Sequence, residues 1–164
     1  MERANRISLI VPAKALVLAV ATGLGSGYLP VSGTCGTLVV FLLHRFLFPN
    51  AFLPERWLSG LIVVALVIAA AVGAAELAER HYGTKDDSRI TVDEVAGYLV
   101  AVYGLPAEWT PAVAAFFVFR LMDIIKPPPA RRLQDLPGGI GIVLDDVFAG
   151  LYTCLIMNAI FRLL

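Results

Sequence analysis

Between Trp57 and Ala75 no charged residue interrupts the chain, and Leu61-Ile62-Val63-Val64-Ala65-Leu66-Val67-Ile68 lies within this run. A helix that crosses a bilayer needs roughly 20 mainly apolar residues, and residues 57–78 meet that requirement. A surface helix of a soluble protein would instead alternate an apolar stripe with a polar face. The whole chain leans the same way. It is 59% hydrophobic and 16% charged, whereas an average soluble domain is roughly 45–50% apolar and about 25% charged. Mean hydropathy is +0.80. At 164 residues the length suits one domain, and residues 1–164 are expected to form a single membrane domain.

Four further segments are expected to span: residues 37–52, 92–105, 110–125 and 142–164. Residues 13–24 are the weakest apolar stretch, expected to form an interfacial or re-entrant helix. The expected fold is therefore all-α, an integral membrane bundle of about five spanning helices with an additional N-terminal interfacial or re-entrant helix. His44 and Arg45 lie inside the second segment, so it cannot face lipid all round. Arg3, Arg6 and Lys14 ahead of an apolar run resemble a signal peptide. The run enters a glycine-rich loop rather than a cleavage site, so it is expected to be retained.

Placing the glycine-rich residues 22–37 on the cytoplasmic side puts Arg80, Lys85, Arg89, Arg120, Lys126, Arg131 and Arg132 on or near that side as well. Arg56 and Arg162 fall opposite. This asymmetry is the positive-inside pattern. The same threading gathers the polar segments 22–37, 84–97, 119–128 and 135–150 at one face. Formal net charge is zero, which supplies no pull toward nucleic acid. Cys35 and Cys154 form no spacing motif and are expected to be reduced thiols.

Asp93, Glu94, Asp123, Asp145 and Asp146 are the chemically informative residues. An ionised side chain at the bilayer centre costs at least about 2.5–3.5 kcal/mol. Helix-capping would account for one acid per helix, but not for two adjacent pairs with a third acid at another helix end. Converging carboxylates need a cation, and hard oxygen ligands suit Mg2+. Asp93, Glu94, Asp145 and Asp146 are the expected metal ligands, with Asp123 completing a catalytic set. Arg120 and Asp123 share a helix face, with Lys126 just beyond, before three prolines. Arg120 and Lys126 are candidate phosphate ligands. So are Gly33, Thr34, Gly36 and Thr37, where a glycine loop meets a helix N-terminus. Neither a Walker loop nor a dinucleotide-binding loop is present, and no cysteine-phosphatase or Asp-x-Asp-x-Thr motif occurs. Metal-activated water or an aspartate nucleophile remains.

These motifs resemble the bacterial phosphatidylglycerophosphatase A family. The matching stretches begin with Ala21-Thr22-Gly23-Leu24-Gly25-Ser26-Gly27, Pro30 and Gly33-Thr34-Cys35-Gly36. Val92-Asp93-Glu94-Val95-Ala96-Gly97 and Phe119-Arg120-Leu121-Met122-Asp123-Ile124-Ile125-Lys126-Pro127 follow. The last runs from Gly138-Gly139-Ile140-Gly141 through Asp145-Asp146-Val147-Phe148-Ala149-Gly150. Ser32 stands where the family's loop usually carries proline, and Thr37 keeps the hydroxyl of its following serine. The resemblance implies Mg2+-dependent hydrolysis of phosphatidylglycerophosphate to phosphatidylglycerol and inorganic phosphate, on a phospholipid substrate at the cytoplasmic face of the bacterial inner membrane. On the residues alone, a small cation-binding transporter and a non-catalytic lipid-binding protein stay open. Transport acids usually lie near the bilayer midplane, whereas these lie at helix ends. A CDP-alcohol phosphotransferase would need an Asp-Gly-x2-Ala-Arg motif, which is absent.

Overall fold

The computed structural model describes residues 14–163, with the side chains of Arg162 and Leu163 excluded. Arg3, Arg6 and the first residue of the expected N-terminal helix lie outside the described residues. All regular structure among the described residues is helical. Helix α1 covers residues 14–21, α2 Ser32–Leu47, α3 Trp57–Tyr82, α4 Val92–Ala101, α5 Trp109–Ile125, α6 Ala130–Leu133 and α7 Gly138–Leu163.

Local chemistry explains most boundaries. The α3 helix starts after a 3-10 turn opened by Pro54 and ends at Gly83, whose φ of 71° makes a left-handed C-cap. Lys126 caps α5 and hands over to Pro127, which cannot continue a helix.

Only α3 and α7, among the described residues, are long and apolar enough to cross a membrane. At 26 residues each they measure about 39 Å. The expectation of five full spans meets its limit in α4. Its 10 residues reach about 15 Å, half the hydrocarbon thickness of roughly 30 Å. Nine of these residues are buried, because α2, α3, α5 and α7 all pack around them. The α4 helix is therefore the centre of the bundle.

Tyr98 of α4, fully buried, anchors this centre against the rings of Phe41, His44 and Phe119. His44 thus turns inward among aromatic rings, with its Nδ1 buried and without a partner. Arg45 instead lays its guanidinium 4.5 Å from the Trp109 ring centroid. Outward positions carry Leu61, Ile62 and Leu66 on α3, Phe117 and Leu121 on α5, and Leu155 on α7.

The two ends of the bundle differ. At one, Gly104 N–H donates to the Phe52 carbonyl at 2.8 Å, tying together the α2–α3 and α4–α5 connections. At the other, Lys85 Nζ donates to the Asp135 carbonyl at 3.4 Å. This second end gathers all four polar segments.

Candidate functional site

Asp93 and Glu94 occupy the first turn of α4, where the helix dipole favours negative charge. Asp145 and Asp146 lie on α7, and Asp123 near the end of α5. Helix packing brings these positions together. Oxygens of Asp93, Glu94 and Asp146 lie within 4.8 Å of one another. Asp146 is 3% exposed, Glu94 8% and Asp93 9%. Each also carries a buried oxygen without a hydrogen-bond partner: Asp93 Oδ1, Glu94 Oε2 and Asp146 Oδ2. Orphaned buried carboxylate oxygens are costly. Three of them converging, all hard donors, fit a divalent cation. Three of the four expected ligands thus converge on one point.

Asp145 is drawn elsewhere. Its Oδ2 accepts from Lys126 Nζ in a tight ion pair, while Oδ1 stays buried without a partner. Burial opposes the charge on Lys126, but the hydrogen bond and attraction from Asp145 outweigh it, raising the lysine pKa above its ordinary value.

Arg120 stands between two acids, with Nη1 2.8 Å from Asp123 Oδ2 and 3.8 Å from Glu94 Oε1. It also reaches Thr37 Oγ1 at 3.4 Å, while that hydroxyl donates to the Gly33 carbonyl at 2.9 Å. Gly33 permits this arrangement: a Cβ there would lie 2.4 Å from Glu94 Oε1 and 3.0 Å from Arg120 Nη2. Arg120 Nε is buried and has no partner.

A pocket of about 370 Å³ opens on this cluster. Asp93, Glu94, Asp123, Lys126, Asp145 and Asp146 form its chemical wall, joined by Ser32 at the start of α2 and by Asp86 and Ser88 of the α3–α4 loop. Of the expected phosphate ligands, Lys126 lines the pocket. Arg120, Gly33 and Thr37 lie behind it, around the Glu94 carboxylate. Gly36 serves a close approach, since a Cβ there would be 2.7 Å from Thr91 Cβ. Thr34 is half-buried in the first turn of α2. The second glycine-rich stretch proves to be a docking point: Gly139 N–H donates to Glu76 Oε2 at 2.8 Å.

Asp86 and Ser88 escape sequence reasoning, which marks 84–97 as polar without separating Asp86 from Asp87. The structure separates them. Arg89 donates to Asp87 from Nε and Nη2 at 2.7 Å each, and this bidentate pair holds the Asp87 carboxyl below its ordinary value. Asp86 is exposed and faces the pocket. Arginine two residues after one of two adjacent aspartates was the available signal.

A larger cavity of about 410 Å³ lies at the opposite end, lined by Leu53, Trp57, Tyr103 and Leu155 among others. It contains no charged side chain, so it offers nothing to a cation or phosphate.

The family model for phosphatidylglycerophosphatase A matches residues 19–161. A protein from Bacteroides thetaiotaomicron described as a candidate phosphatidylinositol-3-phosphatase is 34% identical, over 87% of this chain and 91% of its own. The phosphatidylglycerophosphatase A of Escherichia coli is 35% identical, over 79% of this chain and 74% of its own. That of Haemophilus influenzae is 33% identical, over 95% and 93%. No solved structure matches the chain. With the family model covering nearly its whole length and two relatives of that description about a third identical to it, the chain belongs to the phosphatidylglycerophosphatase A family.

Proposed function

We propose that the acidic pocket is where this chain hydrolyses the phosphomonoester of phosphatidylglycerophosphate, releasing inorganic phosphate and leaving phosphatidylglycerol. Phosphatidylglycerophosphatase activity follows from family membership. The observation that carries the pocket assignment is the set of orphaned oxygens on Asp93, Glu94 and Asp146, beside the cation of Lys126.

Asp93, Glu94 and Asp146 would hold Mg2+, whose bound form supplies charge neutralisation for phosphate and a more acidic water. Lys126 donates to a phosphate oxygen, and Asp145 fixes that ammonium at the wall. Arg120 braces Glu94 and Asp123 and keeps Nε as a spare donor. Gly33 and Thr37 hold the guanidinium in place. Asp123, on the wall, orients the attacking water and accepts its proton as the new phosphorus–oxygen bond forms. The phosphorus–oxygen bond to the glycerol breaks, and the proton held by Asp123 passes to the leaving alkoxide.

The membrane setting is part of the same reading. α3 and α7 span; α2 and α5, shorter, complete a five-helix bundle around the half-length α4. Outward Leu, Ile and Phe side chains support this arrangement. Arg80, Lys85, Arg89, Arg131 and Arg132 surround the pocket end, which supports a cytoplasmic orientation in a bacterial inner membrane. A phosphomonoester at the headgroup layer would meet the pocket there. The Bacteroides relative is described by an inositol lipid, so a phosphoinositide is the second substrate to assay.

The test is phosphate release by the purified protein from phosphatidylglycerophosphate in detergent micelles. Hydrolysis is expected with Mg2+ and not after chelation. Asp146→Asn should raise the Mg2+ needed for half-maximal rate by about tenfold or more, since even outer-shell changes cost that much. Undiminished turnover by Asp146→Asn in low Mg2+ would remove the pocket assignment.

A further inference from the structure

The pocket is larger than the phosphate chemistry needs. At about 370 Å³ it falls within the range of small-molecule sites, roughly 300–1,000 Å³. Its deep wall is committed: three acids converge on one another, Asp145 holds Lys126, and Asp123 holds Arg120. Asp86 and Ser88 have no such commitment. Both are exposed, line the same pocket, and lie outside the group of converging oxygens.

A carboxylate at the mouth of a phosphate pocket calls for explanation, because it repels a phosphate. Ionised aspartate accepts hydrogen bonds and donates none. Its natural partners are cations or hydroxyl groups. The hydroxyl of Ser88, two residues on and lining the same pocket, both donates and accepts, and a donor beside an acceptor matches a hydroxyl group.

The loop presenting these groups is tied at several points. Arg89 clamps Asp87 and lays its guanidinium 3.8 Å from the Tyr82 ring centroid. Lys85 donates to the Asp135 carbonyl, and Thr91 N–H donates to the Ala21 carbonyl at 2.8 Å. Asp86 itself is held at a φ of 51°, a left-handed backbone that non-glycine residues adopt at a cost. The rim is thus preorganised.

We propose that Asp86 and Ser88 form a headgroup subsite that hydrogen-bonds the free hydroxyl of the glycerol carrying the phosphate, and so set selectivity for phosphomonoesters of a polyol with a free hydroxyl over phosphatidate. The inference rests on the proposed function: the phosphate binds at Lys126 and the polyol lies toward the α3–α4 loop.

The experiment compares kcat/KM for phosphatidylglycerophosphate and for phosphatidate, whose phosphate is joined directly to diacylglycerol with no polyol between. Asp86→Gly removes the carboxylate and suits the left-handed backbone, and Ser88→Ala removes the hydroxyl. Each variant's thermal midpoint is measured alongside. Asp86→Gly is expected to lower the ratio of the two kcat/KM values by about tenfold, as when a site built for a hydroxyl meets a substrate interaction it has lost. Ser88→Ala should lower it by a smaller factor. Equal losses on both lipids by a folded Asp86→Gly variant, or a rise in its Mg2+ requirement, would overturn the subsite in favour of a cation role. An Asp86→Gly variant that fails to fold leaves Ser88→Ala to decide, and an unchanged ratio there also overturns it. If the unsubstituted protein releases no phosphate from phosphatidylglycerophosphate, the proposed function fails instead.

Discussion

Gly150 of α7 lies so close to Gly97 of α4 that a Cβ at Gly150 would be 2.2 Å from the Gly97 carbonyl oxygen. From the other side, a Cβ at Gly97 would lie 2.6 Å from the Asp146 carbonyl oxygen, again too close to fit. Gly97 follows Asp93 by four residues, and Gly150 follows Asp146 by four. One helical turn therefore separates each glycine from its acid. The crossing at the glycines brings the acids together.

Gly150→Ala is accordingly expected to push α7 off α4 and open the acidic cluster. Overpacking of this kind costs about 1–3 kcal/mol. Its effect on rate should exceed its effect on stability, since the cluster sits one turn away. The checks are the thermal midpoint in detergent and phosphate release across a Mg2+ titration, where an increased Mg2+ requirement is expected. A variant with normal Mg2+ dependence would show that the crossing does not set the acid geometry.

This glycine pairing shows where sequence reading reached and where it stopped. The two acid-containing stretches, ending at Gly97 and Gly150, are visibly alike in the sequence, and their acids are legible as a cluster because buried carboxylates demand partners. Spacing along one helix cannot reveal that the glycines meet across helices. The same limit applies to α4. A 14-residue apolar run at 92–105 reads as a short span, because hydropathy does not distinguish lipid from protein as the apolar neighbour. Tyr98 and Ala96 are fully buried by surrounding helices whose positions no local pattern encodes. Asp145 shows the limit at the level of one side chain. Its neighbour Asp146 joins the converging acids, while Asp145 turns to Lys126, and adjacent helix positions point about 100° apart.

Arg120 offers a sharper test of charge pairing. The arginine lies between Asp123 and Glu94, whose side chains are 13% and 10% exposed. Arg120→Ala strands two acids with little access to water, and removing one partner of a buried pair costs about 3 kcal/mol or more. The thermal midpoint should fall, and turnover with it. Arg120→Gln combined with Asp123→Asn removes the charge from both members, and most of the midpoint should return. Activity should not return, because Glu94 still lacks its brace and the pocket wall has lost the Asp123 carboxylate. An active double variant would reduce the pair to a structural salt bridge.

The final prediction concerns sidedness. Lys85 Nζ donates to the Asp135 carbonyl, so their two loops lie at one end of the bundle and are expected on one side of the membrane. Glu55 precedes α3 at the opposite end, about 39 Å away along a 26-residue helix. Single cysteines at Lys85, Asp135 and Glu55 can be placed in a background carrying Cys35→Ser and Cys154→Ser. The serine at 154 keeps a donor for the Tyr103 carbonyl, which Cys154 Sγ now approaches at 3.3 Å. A membrane-impermeant maleimide applied to intact cells should label Glu55→Cys alone. Lys85→Cys and Asp135→Cys should react only after the membrane is opened, because the basic residues at their end favour the cytoplasm. Labelling of Lys85→Cys and Asp135→Cys in intact cells would reverse the bundle and place the pocket outside. Equal protection of all three would mean that α3 does not span.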